Sequence, residues 1–266
     1  MLDSFDRRIR YLRVSVTDRC NLRCEYCSPE LSCSRERAEP LSLEDLARIV
    51  RAAVDLGVDK VRVTGGEPLL REGILGFVRD LASMRGLATL GLTTNGILLA
   101  PVAASLADAG LKSVNVSLDS VDPAEYRRAT GGGELRLALH GIEAALAASM
   151  AVKLNVVVAA GDPAAEARAE AVEAYAREAG AAVQRIRRYD ASIPKVEDPS
   201  FDRPPPCGSC DRIRLLADGT LLSCLHSSAA VAVDLERIEA SVLECVAMKP
   251  RRGAAAAMAS LREIGG

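Results

Sequence analysis

Along the first 190 residues, short runs in which every second residue is apolar alternate with longer stretches whose apolar residues recur at helical spacing. The alternating runs predict strands at Tyr11–Thr17, Lys60–Thr64, Leu90–Thr94, Ser113–Asp119, Val152–Val158 and Val183–Tyr189. Between the first two, Leu43, Leu46, Ile49, Val50, Ala53 and Leu56 fall on one face of a helix. Ser42 with Asp45, and Asp122-Pro123 with Glu125, mark helix starts. A side-chain oxygen there accepts a bond from an N–H that the first turn leaves unpaired. Six strand–helix units in series predict a parallel sheet with right-handed crossovers.

The alternation also assigns faces. Parallel strands covered by helices on both sides read as continuous apolar runs, and these do not. One face carries Leu12, Val14, Val16, Val61, Val63, Leu90, Leu92, Val114, Val116, Leu118, Leu154 and Val156. The other carries Arg13, Ser15, Thr17, Lys60, Arg62, Thr64, Thr93, Asn95, Asn115, Ser117, Asp119, Lys153 and Asn155. The apolar face must meet the helices, so the polar face turns inward, and an incomplete barrel of six units leaves room for a polar cavity. Arg13, Lys60, Arg62, Lys153, Arg185 and Arg187 are all expected to face in, against the single acid Asp119. On a chain of net charge −2 this is a local concentration of positive charge, suited to a polyanion such as a phosphate ester.

Beyond Tyr189 the pattern changes. Ile193–Pro206 is Pro-rich and polar and reads as a linker, Arg212–Cys224 as a hairpin turning at Asp218-Gly219, and Arg252–Arg262 as an Ala-rich helix. The organisation expected is a barrel over 1–190, a linker over 191–206, and a C-terminal module with tail over 207–266. A length of 266 residues suits one α/β domain with a small appendage. With no Trp and 3% aromatic residues, aliphatic side chains must do most of the packing. The near-neutral charge gives no pull toward nucleic acid. No apolar run is long enough to cross a bilayer, and the charged stretch Met1–Arg10 is unlike a secretory signal, so a cytoplasmic protein is expected.

Eight cysteines without such a signal point to metal or redox chemistry rather than disulfides. Cys20, Cys24 and Cys27 follow the first strand directly. Three thiolates can hold three irons of a [4Fe–4S] cluster and leave the fourth open. Tetrahedral zinc needs a fourth ligand, and only Cys33, read as a free thiol, stands near. This spacing, with Tyr26 before the third cysteine, resembles the signature of radical S-adenosylmethionine (SAM) enzymes. More narrowly, LRVSVTDRCNLRCEYC, KVRVTGGEPLLR, LTTNG and VNVSLDS, in that order, resemble the GTP 3′,8-cyclase family of molybdenum-cofactor biosynthesis. So do the spacing of Cys207, Cys210 and Cys224 and the terminal Gly265-Gly266.

The resemblance implies an α/β fold, a partial (β/α)6 barrel with a small C-terminal iron–sulfur module, binding SAM and two [4Fe–4S] clusters. Cys20, Cys24 and Cys27 would ligate the first cluster, while Tyr26, Gly65, Gly66, Glu67 and Ser117 would seat SAM. Cys207, Cys210 and Cys224 would hold a second cluster that receives guanine. Arg13, Arg62, Thr93, Lys153, Arg212 and Arg214 fall on GTP-contacting positions, and Arg13, Gly265 and Gly266 on positions near the radical site. The implied partners are GTP or a similar nucleotide, an external electron donor and, downstream, cyclic pyranopterin monophosphate synthase. A homodimer fits, and neither membrane nor nucleic acid is called for. Three departures stand out. Only Arg187–Pro206 spans a gap that is longer in the family, RIRRYDAS replaces a run ending in a SAM-contacting Met, and Ser28 stands where Met is usual. The alternatives are a relative using both clusters on another anionic small molecule or a peptide, and a non-catalytic iron–sulfur electron carrier.

Overall fold

The computed structural model describes residues 1–27, 39–190 and 193–255. Six βα units come first: β1 (Tyr11–Ser15), α1 (Leu43–Asp55), β2 (Lys60–Thr64), α2 (Ile74–Ala82), β3 (Thr89–Thr94), α3 (Ala103–Asp108), β4 (Ser113–Ser117), α4 (Pro123–Ala129), α5 (Leu135–Ala147), β5 (Ala151–Val158), α6 (Pro163–Ala179) and β6 (Ala182–Arg187). Then follow β7 (Arg212–Leu215), β8 (Thr220–Leu222), β9 (Ala230–Ala232) and α7 (Ile238–Ala247). All nine strands form one sheet in the order β6-β5-β4-β3-β2-β1-β7-β8-β9. The first seven are parallel, and β8 and β9 run antiparallel. The C-terminal hairpin thus continues the barrel's own sheet from β1 outward. This is the α/β partial barrel that the sequence pattern predicts.

The apolar face does the packing. Leu12, Val14, Val63, Leu92, Val116 and Leu154 are fully buried under the helices, with Leu46, Ile49, Val50 and Ala53 of α1 among their partners in the core. Each such branched side chain stabilises the fold by roughly 1.5–3 kcal/mol. The barrel is therefore held from outside, and its interior is free to be polar. Both expected caps form: Asp45 N–H donates to Ser42 Oγ at 3.0 Å, and Glu125 N–H donates to Asp122 Oδ1 at 2.8 Å.

One strand differs from expectation. Gln184, opposite Asn155, faces inward on β6, which puts Arg185 outside. Arg185 pairs there with Glu166 and, at 3.0 Å, with Glu173, both on α6. Val183 and Ile186 lie on opposite faces of β6, so no apolar alternation sets the phase of this strand. Arg187, at the strand end, still reaches the cavity wall. Residues 201–203 then run along the otherwise bare edge of β6: Asp202 and Arg203 N–H donate to Arg185 O at 3.0 and 3.2 Å, and Arg187 N–H to Arg203 O at 2.9 Å. Residues 252–255 are not helical, and the rest of the Arg252–Arg262 stretch lies outside the described residues. Cys245 is an apolar core residue of α7, its thiol pushed up to about 12 chiefly by burial.

Candidate active site

Strand direction places the two cysteine triads at opposite ends of the sheet. Cys20, Cys24 and Cys27 follow the C-terminal end of β1. Cys210 precedes β7, which is parallel to β1, and Cys224 follows β8, which is antiparallel to it. Between them lies a cavity of about 490 Å³. Its wall includes Arg13, Tyr26, Arg62, Gly65, Gly66, Thr93, Ser117, Lys153, Arg212 and Arg214, together with Cys20, Cys24, Cys27, Cys210 and Cys224. Of the residues that the family resemblance assigns to the site, Glu67 and Cys207 do not line it, and Gly265 and Gly266 lie outside the described residues, as does Cys33. Arg185, Ser15 and Thr17, expected on the inward face, do not line it either.

The loop carrying the first triad is braced on three sides. Gly66 N–H donates to Thr17 O at 2.7 Å and Glu67 N–H to Arg19 O at 2.8 Å. A Cβ on Gly66 would sit 2.2 Å from Arg19 O, so only glycine allows this approach. From α4, Thr130 O accepts from Arg23 N–H at 2.9 Å and Ala129 O from Glu25 N–H at 3.0 Å. The Tyr26 hydroxyl bonds to Asp119, which also accepts from Val157 N–H at 2.8 Å. Burial still lifts the Asp119 carboxyl to about 6.

Glu67 explains its own absence from the wall. It is fully buried, and its carboxylate accepts from Leu69 N–H (3.0 Å), Thr94 Oγ1 (2.8 Å) and Asn95 N–H (2.8 Å). Asn95 Nδ2 in turn donates to Asn21 Oδ1 at 2.7 Å, inside the triad loop. Burial lifts the Glu67 carboxyl to about 7 against the pull of its three donors. Glu67→Gln would set an NH2 against the Asn95 N–H or lose the other two bonds. The expected cost is ~1–3 kcal/mol, read as a lower midpoint in urea denaturation of the apoprotein. An unchanged midpoint would contradict the bracing role.

The middle of the cavity is cationic. Arg62 donates to Leu92 O (3.0 Å) and Asn115 Oδ1 (2.8 Å), and a side chain at Gly91 would press on its guanidinium. Asn115 Nδ2 passes a bond to Asn155 Oδ1 at 3.0 Å. Burial, then repulsion from neighbouring arginines, brings the Arg13 guanidinium down to about 10 and that of Arg214 to about 9. Arg212 Nε and Nη2 and Arg214 Nε are buried without a hydrogen-bond partner among the described residues. Buried donors left unpaired are costly, so this wall calls for an acceptor-rich ligand.

At the far end Cys207 is buried, with Lys195 Nζ 3.4 Å from its sulfur, and its N–H donates to Glu197 Oε1 at 2.7 Å. Burial opposes ionisation of Cys210, but Lys249, Arg212 and Lys195 outweigh it and hold the thiol below its ordinary range, as suits a thiolate ligand. Among the described residues no three His, Cys, Asp or Glu side chains are grouped to hold one metal ion. The donor chemistry carries the fit instead. Cys20, Cys24 and Cys27 are reduced thiols at one end of the cavity, and Cys210 and Cys224, with Cys207 near them, are reduced thiols at the other. Three thiolates are what a [4Fe–4S] cluster with one open iron takes. Tyr11, Lys195, Arg203 and Lys249 also line the cavity and were not singled out from the sequence. Tyr11 was within reach, since it lies two residues before Arg13 on the inward face. The other three come from segments without strand periodicity.

The likeness to known proteins agrees with this geometry. Residues 14–173 match the radical SAM superfamily. A GTP 3′,8-cyclase of Alkaliphilus oremlandii is 36% identical over 300 residues, covering 95% of this chain and 94% of its own. That of Geobacter sulfurreducens is 52% identical over 163 residues, covering 60% of this chain and 50% of its own. In fold, Streptococcus suis SuiB bound to S-adenosylmethionine superposes with a TM-score of 0.68 at 16% identity, covering 91% of this chain and 64% of SuiB. The protein anSMEcpe with bound AdoMet gives 0.65 at 15% identity, covering 91% and 81%. With its two cysteine triads facing each other across a cationic barrel, the chain belongs to the GTP 3′,8-cyclase family of the radical SAM superfamily.

Proposed function

We infer that this enzyme converts GTP to 3′,8-cyclo-7,8-dihydro-GTP, joining a ribose carbon to C8 of guanine in molybdenum-cofactor biosynthesis. The observation that carries the reading is the cavity itself, with a cysteine triad at each end and, between them, buried Arg212 and Arg214 donors that have no hydrogen-bond partner among the described residues. When bound, the first cluster and SAM would supply the one-electron radical chemistry that the ribose carbon needs.

The chain's own residues do the rest. Cys20, Cys24 and Cys27 would hold the first cluster, and Tyr26, Gly65, Gly66 and Ser117 would seat SAM. Glu67 contributes through the turn it braces rather than by contact. Arg13, Arg62, Lys153, Arg212 and Arg214 would hold the triphosphate, with Thr93 beside them on the cavity wall, and Cys207, Cys210 and Cys224 would hold the second cluster, which would receive guanine. Gly265 and Gly266 lie outside the described residues; by the family resemblance they would act with Arg13 near the reacting ribose. Electrons come from an external reductase, and the product passes to cyclic pyranopterin monophosphate synthase. Clustered thiols fit a reducing cytoplasm, and no helix among the described residues is long and apolar enough to cross a membrane. A homodimer is compatible with this scheme.

The test is anaerobic reconstitution, an iron count, and incubation with SAM and reductant with and without GTP. About eight irons per chain, GTP-dependent 5′-deoxyadenosine and a cyclised nucleotide are expected. Deoxyadenosine formed at one rate regardless of GTP, with no cyclised product, overturns the assignment.

A further inference from the structure

β1 opens with Tyr11, 3% exposed, its side chain turned into the cavity at the end that holds the second triad. Strand register sets a cation on each side of it: Lys60 stands opposite on β2 and Arg212 opposite on β7. The Lys60 ammonium lies 4.6 Å from the centre of the Tyr11 ring and the Arg212 guanidinium 5.2 Å. Both distances are those of a cation attracted to an aromatic ring, worth about 0.5–2 kcal/mol each when water is excluded. Arg212 is the residue whose Nε and Nη2 are buried without a hydrogen-bond partner among the described residues. Two like charges flanking one ring, with donors to spare, make little sense as structure alone. They make sense as a site waiting for an anion.

We propose that Tyr11 is a positioning residue that anchors Lys60 and Arg212 against its ring and so presents them to the phosphate chain of the substrate. The proposal rests on the reading of the substrate as a nucleoside triphosphate. Without the ring, Lys60 and Arg212 keep only mutual repulsion and the freedom of long side chains to swing away.

The charges around the phenol supply a signature that packing alone would not. Arg13 faces it from β1, Lys60 and Arg62 from β2, Arg212 from β7 and Arg203 from the segment along β6, with the acid Asp211 just before β7 acting on Lys60 and Arg203. Burial pushes the phenol up, but Arg13, Arg62, Arg212 and Lys60 outweigh it and bring it to about 8. A phosphate chain that neutralises these cations removes the pull, and the phenol returns toward its ordinary range near 10. Between those two values, ligand binding must take up a proton at Tyr11.

Titration calorimetry on the reconstituted enzyme, with inorganic triphosphate, GTP and guanosine as probes, decides the matter. Tyr11→Leu removes the ring and is expected to weaken triphosphate and GTP about tenfold while leaving guanosine unaffected. In turnover its KM for GTP should rise more than its kcat falls. Tyr11→Phe keeps the ring, so it should restore triphosphate binding at pH 7 yet lose the proton uptake seen at pH 8.5 as a buffer-dependent heat. A folded Tyr11→Leu protein that binds triphosphate as tightly as the parent overturns the proposal. So does an equal loss in Tyr11→Phe, which would put the effect in the hydroxyl. If Tyr11→Leu fails to fold, undiminished proton uptake in Tyr11→Phe is the overturning result. A parent enzyme that binds inorganic triphosphate but not GTP would sink the substrate reading alone, with the Tyr11 comparison still decided on triphosphate.

Discussion

Replacing Cys24 by Ala is expected to abolish SAM cleavage and to lower the iron content from about eight to about four per chain. The substitution removes a thiolate from a loop that backbone hydrogen bonds on either side hold in shape. Arg23 and Glu25, on either side, donate backbone N–H groups to Thr130 and Ala129, and Tyr26 is tethered by Asp119. The apoprotein should therefore keep its melting temperature to within a few degrees. Two cysteines hold a four-iron cluster poorly, so the first site empties. The second triad stands at the other end of the sheet with its own bracing and should keep its iron. An iron count, the electron paramagnetic resonance of the reduced protein and chromatography for 5′-deoxyadenosine read the three outcomes separately. Cleavage persisting at a tenth of the parent rate would remove Cys24 from the ligand set. Loss of all eight irons would mean that the two sites do not assemble independently.

The faces of β1 to β5 were legible because burial of one face of a strand leaves a period of two in the sequence. Arg13, Arg62 and Lys153 could be set inside on that ground, and the cavity contains them. β6 was not legible: Val183 and Ile186 have opposite parity, and what decides its phase is the pairing of Arg185 with Glu166 and Glu173 on α6. The cysteine triads announce themselves because their ligands lie close along the chain. What braces them does not, since Arg7 meets Cys207 across 200 positions and Lys249 meets Arg212 across 37. Glu67 shows a subtler limit. Its neighbours in the GGEP turn resemble a SAM seat in sequence, but only the folded structure shows its carboxylate turned away to bind Thr94 and Asn95. The segment 193–206 reads as a linker by composition. Even so, Lys195 and Arg203 from it reach the cavity, and its backbone pairs with the edge of β6.

Arg7→Met is expected to empty the second site while sparing the first, leaving about four irons per chain and SAM cleavage that no longer responds to GTP. Arg7 Nη1 donates to Cys207 O at 2.8 Å and to Arg251 O at 3.3 Å, and Nη2 donates to Pro250 O at 2.8 Å. One residue earlier, Lys249 Nζ donates to Arg212 O and Ser223 O, both at 2.7 Å. Residues 249–251 and two buried cations thus tie together the three segments that carry Cys207, Cys210 and Cys224. Asp3 holds Arg7 in place through a bond of 2.6 Å to Nε and accepts the N–H groups of Phe5 and Arg7. Burial pushes the Asp3 carboxyl up, but these bonds outweigh it and the carboxyl titrates below its ordinary 3.8. A group depressed in the folded state contributes fully above its unfolded value and is lost only as the pH falls below it. The clamp is therefore intact at neutral pH and fails in acid. Removing the guanidinium strands a buried carboxylate, which costs about 3–5 kcal/mol, whereas Asp3→Asn combined with Arg7→Met removes both charges and should recover part of that stability. If the double variant regains melting temperature but not the second set of irons, Arg7 positions the Cys207 segment. If both return together, the loss of iron was a consequence of instability, and the positioning role falls.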